Sequence, residues 1–408
     1  MLLTAFALLL LLAVLLSSLA HRTILSTAAL FLVAGFVLGD GVMGVVSLTA
    51  ADPLVATLAE LALFAVLFTD GMRVGWQDLR SAWRLPGRAL GWGLPLTLVI
   101  TAVGAHYLLG LGWIESLLVG AILAPTDPVF AAALVGNEKV PPRLRQLLNV
   151  ESGVNDGLAL PFVLVFLAIA AGSHDLHLGE LGLELGLGVL IGVAVPWLAI
   201  KLERTRWFAA STQYEPLNAL AIGLLVLAIG KATHGNLFLA AFSAGITVAT
   251  FGPRQRESFE HFGELIAELF KLAALLVFGA LITPSLLAVG WQGWLFALGA
   301  LVLARPIAIW VSFLRSRLSV REQAAVAWFG PKGFASVVYG LLVLASGIGA
   351  AQQVFQIVAV TIVASILLHS STDIVVARWF DEERELPAWY GVARRIRGSK
   401  EPGDEPAS

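Results

Sequence analysis

The chain has 408 residues, of which 58% are hydrophobic and only 13% charged, and its net charge is −2. A soluble domain is nearer roughly 45–50% apolar and about 25% charged, so the composition argues against a water-soluble enzyme, a nucleic-acid binder or a disordered scaffold. With no cysteine there are no disulfides, thiolate metal sites or cysteine nucleophiles, while 40 glycines and 17 prolines suit a bundle of closely packed, partly interrupted helices.

A helix that crosses the hydrocarbon layer needs about 20 mostly apolar residues. Thirteen stretches qualify: 2–20, 24–40, 54–71, 89–108, 115–136, 148–171, 181–200, 215–231, 236–251, 263–283, 291–314, 322–345 and 352–377. They predict an all-α polytopic membrane protein that fills residues 1–380 as one transmembrane domain, with 381–408 as a short polar tail. The first stretch carries an SLA sequence but no basic segment before it, so it is read as a retained helix. Alternate connections and the tail hold 22 of the 26 Lys and Arg, and the intervening connections hold none. Basic residues stay in the cytoplasm, which predicts an outside N-terminus and a cytoplasmic C-terminus in a bacterial-type plasma membrane.

The other four bases, Lys231, Lys271, Arg305 and Lys332, fall within spans, as do Glu60, Asp70, Asp127, Glu151, Asp156, Glu264, Glu268 and Asp373. Charge inside the membrane is costly and faces either a partner or a water-filled path. Any single one could be an ion pair that locks the bundle. As a set they exceed what stability needs, since apolar packing would serve as well.

In stretch five, LAPTDPVF sets Pro125 and Pro128 around Thr126 and Asp127, and the two missing donors should unwind the span. Stretch six opens NVESGVNDGLALPF. At 100° per residue, Glu151, Ser152, Asn155 and Asp156 share an arc of about 140°. These hard oxygen ligands suit a small hard cation. The competing reading makes Ser152 and Asp156 capping residues of a helix that starts near 150. Arg305 is the natural partner of one carboxylate. Burial disfavours the other as a bare anion, so it is neutralised by a proton or by a bound cation. Competition of the two for one carboxylate is the chemistry of an exchanger, and Asp156 is assigned that part. In stretch ten, Glu264, Glu268 and Lys271 read as a self-paired helix end more readily than as an acidic funnel, and Glu60 has no evident partner.

Stretch twelve contains WFGPKGFAS, where Gly330, Pro331 and Gly333 bracket Lys332 and should again break the helix. The two breaks lie seven stretches apart, so their helices run in opposite directions, as in an inverted repeat with its substrate site at the centre. Asp127 is placed to neutralise half-helix N-termini and Lys332 to neutralise C-termini. Ordinary proline kinks are the alternative.

In order, APTDPVF, VESGVNDG, NLFLAAFSAGI, LARPI and GPKG resemble the motifs of CPA1-type monovalent cation:proton antiporters, the NhaP and NHE-like sodium/proton exchangers. The resemblance covers nearly the whole chain. It implies a homodimer of inverted repeats, with crossed broken helices in a core around stretches 4–6 and 11–13 and the remaining helices forming the dimerisation part. It makes Asp156 the shared cation and proton site, with Asn155 orienting it and Ser152 and Thr126 completing a Na+ site. Glu151 and Arg305 would form a structural ion pair. The Asn-Asp pairing resembles the electroneutral members, which exchange one cation for one proton. Two positions depart from the pattern. Lys332 stands where relatives have arginine, and LFTDGM replaces an LFExGL-like stretch, with Thr69 at the acidic position and Asp70 one residue later, turned by about 100°.

The sequence therefore predicts a Na+ (or Li+)/H+ antiporter, neither an enzyme nor dependent on a cofactor. Its partners would be the monovalent cation, membrane lipid and a second copy of itself, with no nucleic acid. A K+/H+ exchanger with the same site is the nearest alternative. A cation channel is more remote, and so is an intramembrane protease built on Asp127 and Asp156, whose GxGD context is missing. In the outer loop, His174, Asp175 and His177 read as solvated rather than metal-binding.

Overall fold

The computed structural model describes residues 1–20, 27–49, 52–76, 80, 84–127, 140–172, 178–205, 207–208, 211 and 214–378. Among them the regular structure is helical throughout. In chain order the helices are α1 (Leu2–Ala20), α2 (Thr27–Leu38), α3 (Pro53–Arg73), α4 (Pro86–Leu109), α5 (Trp113–Leu123), α6 (Pro142–Ala170) and α7 (Leu178–Glu203). There follow α8 (Glu215–Thr233), α9 (Leu237–Phe251), α10 (Pro253–Leu281), α11 (Gly290–Ser312), α12 (Val320–Trp328), α13 (Phe334–Ala345) and α14 (Ala351–Arg378). Each apolar stretch of the sequence meets one of them, except stretch twelve, which meets two, α12 and α13. Among the described residues, seven helices (α3, α4, α6, α7, α8, α11 and α14) are long and apolar enough to cross a membrane, and α9 with the start of α10, bent by 115°, would make eight. Of the other stretches, those of α1 and α2 give shorter apolar helices, α5 and α13 are pieces of interrupted spans, and α10 opens with charged turns. Exposed Leu190, Leu224, Leu303 and Trp310 give the molecule an apolar outside, the inverse of a soluble protein.

The helices sort into two bundles. α2, α3 and α7–α10 pack mainly on one another, while α4–α6 pack with α11–α14. Within the first bundle, α3 and α9 approach until their backbones touch: a Cβ at Gly71 would overlap Phe242 O, and one at Gly245 would overlap Phe68 O. Within the second, α4 and α11 share an irregularity. Each contains a π-helical turn, at Ala89–Gly93 and Ala300–Ala304. Pro95 and Pro306, two residues beyond these turns, cannot donate to the carbonyl four residues back, which opens the helix locally. The two helices lie seven stretches apart, the same interval as the two breaks.

The break in stretch twelve is a true interruption and not a kink, because five residues separate the end of α12 at Trp328 from the start of α13 at Phe334. In stretch five, α5 stops at Leu123 and the chain is non-helical through Asp127. Pro128 lies outside the described residues. Two boundaries differ from the sequence reading. α6 begins at Pro142, a good first-turn residue, so Glu151 to Asp156 occupy its third and fourth turns and the capping alternative falls. α10 begins at Pro253 rather than near 263, because a charged first half hides it from a hydropathy count.

Candidate functional site

The two interruptions cross and satisfy each other's backbone. The Asp127 N–H donates to Pro331 O at 3.0 Å, and Asp127 Oδ2 accepts from the Phe334 N–H at 3.1 Å, an orphan donor at the start of α13. Lys332, fully buried, donates its backbone N–H to Ser365 Oγ at 2.7 Å, and its Nζ lies 3.5 Å from Pro125 O beyond the end of α5. Ser336 Oγ donates to Ile122 O at 2.7 Å. The end of α5 and the start of α13 thus each meet a group of opposite polarity. Glycine is required at the crossing: a Cβ at Gly333 would overlap the Asp127 side chain, and one at Gly330 would overlap Arg305.

From α6, Asn155 reaches the same place. Its Nδ2 donates to Thr126 O at 2.9 Å and to Thr126 Oγ1 at 2.8 Å. Its Oδ1 is buried and has no hydrogen-bond partner among the described residues, which leaves an amide oxygen for a ligand. Asn155→Asp removes both donors and sets carboxylate oxygens against two acceptors. We expect a lower melting temperature for this variant than for wild type in the same detergent at pH 8, with Asn155→Gln losing less.

Glu151 and Arg305 form a buried ion pair, Oε1 to Nη1 at 2.8 Å, between α6 and α11. Arg305 Nη2 also donates to Val326 O at 3.3 Å and Phe329 O at 3.1 Å, carbonyls at and just beyond the end of α12.

Asp156 lines a cavity of about 50 Å³ at the seam between the bundles. The first bundle contributes Val66, Thr69, Asp70 and Arg73 from α3, and Glu264, Ala267, Glu268 and Lys271 from α10. The second contributes Asp127 and Asp156. Arg73 bridges Asp70 at 3.2 Å and Glu264 at 2.9 Å. Lys271 Nζ lies 3.5 Å from Asp127 Oδ1 and 3.7 Å from Glu268 Oε2. A larger cavity of about 780 Å³ opens farther along the seam, lined by Glu60, Leu167, Lys231, Phe238 and Val338 among others. On its wall Lys231 pairs with Glu60, which the sequence left without a partner. On α3 the two cavities are separated by the six residues from Glu60 to Val66, a rise of about 9 Å.

The structure therefore gathers Asp156, Asp127, Asp70 and Thr69 around one cavity. Thr126 and Ser152 are buried beside it but do not line it; Ser152 Oγ donates back to Asn149 O at 3.3 Å. Thr69 Oγ1 also turns back onto α3, toward Ala65 O and Val66 O. Glu268 pairs with Lys271 on its own helix, as expected, but Glu264 pairs with Arg73 on α3. Sequence reasoning missed Arg73 and Lys271 as wall residues. It also missed Tyr339, whose hydroxyl donates to Asp156 O at 2.9 Å, and Ser365. The available signal was Lys271 itself, a base inside a span that was read as part of a self-paired helix end. His174, Asp175, His177 and the side chain of Asp373 lie outside what the structure describes.

Crossed helix breaks, paired half-helix ends and an acidic cavity at a seam between two bundles are the architecture of an integral membrane transporter. The chain belongs to the sodium/hydrogen exchanger family: the family's transmembrane sequence model matches residues 7–379. It is 30% identical over 384 residues to the K(+)/H(+) antiporter NhaP2 of Shewanella sp. (strain MR-4), covering 91% of this chain and 66% of that protein's length. It is 27% identical over 307 residues to the Na(+)/H(+) antiporter ApNhaP of Aphanothece halophytica, covering 70% of this chain and 57% of the relative. The sodium proton antiporter MjNhaP1 of Methanocaldococcus jannaschii shares its fold, with a TM-score of 0.75 at 20% identity over 93% of this chain and 96% of that one.

Proposed function

We propose that the protein exchanges a monovalent cation for a proton across the membrane, with both competing for Asp156. The observation that carries this reading is the placing of Asp156 in a small cavity at the seam between two bundles. Cation and proton each neutralise the same buried carboxylate, so occupancy by one excludes the other. Asn155 Oδ1, Ser152 and Thr126 complete the cation's oxygen shell, and Asp70 and Thr69 face it from α3. Asp127 and Lys332 neutralise the half-helix ends, and Glu151 with Arg305 holds α6 to α11. Sliding of the α4–α6/α11–α14 core against the remaining helices would open the site to each side in turn, and the larger cavity supplies one approach. By the charge pattern the N-terminus is outside, and the resemblance adds a homodimer. This is transport of an ion, not enzymatic conversion.

Na+ (or Li+) is the proposed substrate, exchanged one for one because Asn155 leaves Asp156 as the single carboxylate of that pair. K+ is the second reading, favoured by the 30% identity to a protein named as a K(+)/H(+) antiporter. The test follows proton movement in proteoliposomes under an imposed pH gradient, adding Na+, Li+ or K+ in turn, with the membrane potential clamped or free. Wild type should collapse the gradient with Na+ or Li+, clamped or not, and Asp156→Asn should be silent. Response to K+ alone would keep the mechanism and change the substrate. Silence of folded wild type toward every cation, across the pH range, would end the reading.

A further inference from the structure

The mechanism above leaves one buried base in the cavity wall unused. Lys271 sits well inside α10, nearly inaccessible to solvent, on the same cavity as Asp156 and Asp70. The charged groups facing that cavity are Asp70 and Arg73 on α3, Glu264 and Glu268 on α10, Asp127 beyond α5 and Asp156 on α6. Arg73 is committed, with contacts of 3.2 Å and 2.9 Å to Asp70 and Glu264. The Lys271 ammonium is held differently. Its distances of 3.5 Å to Asp127 and 3.7 Å to Glu268 are long, since charge-assisted bonds are usually about 2.7–2.9 Å. It also sits on a flexible four-carbon stem. The cavity, about 50 Å³, has room for only a few water-sized occupants. A partly dehydrated monovalent cation and a freely placed ammonium cannot share it without strong repulsion.

We propose that Lys271 is a tethered competitor of the transported cation. Its ammonium neutralises the Asp127 side of the cavity when no cation is present and withdraws toward Glu268, which is partly exposed, when one enters. Lys271 is thus a positioning residue that sets how tightly the cavity holds its cargo. Two unit charges a few ångströms apart, at the effective dielectric of protein sites, shift an equilibrium by about tenfold or more. The proposal rests on the antiport reading for its meaning in transport, and the experiment separates the two.

The half-saturating cation concentration for exchange is measured at alkaline pH, where protons compete least, for wild type, Lys271→Gln and Lys271→Arg. Lys271→Gln should lower it about tenfold while changing the maximal rate less, and Lys271→Arg should stay near wild type. An unchanged or raised value in folded Lys271→Gln protein overturns the proposal. Because the chain has no other cysteine, Lys271→Cys gives a second test on a single folded sample. Reaction with 2-aminoethyl methanethiosulfonate forms a mixed disulfide, with methanesulfinate leaving, restores a tethered ammonium and should raise the half-saturating concentration. Methyl methanethiosulfonate forms the uncharged methyl disulfide by the same exchange and should not. Equal effects of the two reagents also overturn the proposal. Calorimetric titration of detergent-solubilised protein with Na+ and K+ reads affinity without transport. If wild type binds a cation but moves no protons, the antiport reading fails while Lys271 is still judged by the same shift.

Discussion

Neutralising either partner of the Glu151–Arg305 pair alone is expected to cost about 3–5 kcal/mol, because the remaining charge is left buried without its counterpart. The two single variants should differ. Glu151→Gln leaves Arg305 its bonds to Val326 O and Phe329 O, whereas Arg305→Met strips the end of α12 as well. Hydrogen bonds to a charged group contribute about 1.5–3 kcal/mol, so Arg305→Met should be the more damaging. A purely ionic pair could be replaced by apolar groups of similar volume at little cost. Here Glu151→Leu combined with Arg305→Met should recover only part of the loss, since two buried carbonyls stay unsatisfied. Thermal unfolding of the four proteins in one detergent decides it. A double variant as stable as wild type would mean that α12 draws nothing from Arg305.

That second task of Arg305 marks where the sequence stops being legible. Pairing Arg305 with Glu151 follows from counting buried charges of opposite sign. The carbonyls it also serves are free to accept only because the helix ends at Trp328. The breaks themselves are readable, because proline and glycine act locally, and so is the orientation of Asp127 toward a helix start. The cavity wall is not. Arg73 and Glu264 are 191 residues apart, and nothing local to either names the other. Lys271 was misplaced for a different reason. Hydropathy puts the start of its helix near 263, which makes Lys271 an end residue. The helix really starts at Pro253, so Lys271 lies about 27 Å along it, beside the crossing. A charged, solvated half-helix is invisible to an apolar count, and here it carries the wall of the site. Glu60 and Lys231 escaped notice in the same way, as partners on helices far apart in sequence.

Gly333→Ala should disable the protein at the crossing itself. A Cβ there would overlap Asp127 at its Cβ as well as its carboxylate, so no rotamer of Asp127 escapes the clash and the backbone must open. Opening breaks two bonds at once, the Asp127 N–H to Pro331 O and the Phe334 N–H to Asp127 Oδ2. Overpacking a tight site costs about 1–3 kcal/mol, and losing a buried hydrogen bond to a carboxylate adds about 1.5–3 kcal/mol. The expected result is destabilisation of about 3 kcal/mol or more, with cation-driven proton movement reduced to background. Gly349→Ala is the matched control, because a Cβ at that position meets no atom within 4 Å; it should melt and transport like wild type. The backbone at Gly333 is extended, with φ of −120°, so the cost is steric and not conformational. It follows that any side chain should fail there, with the loss growing from alanine to serine to valine. A Gly333→Ala protein with wild-type melting and exchange would show that the crossing can open without loss, and that the Asp127 cap on α13 is not what holds the two broken helices together.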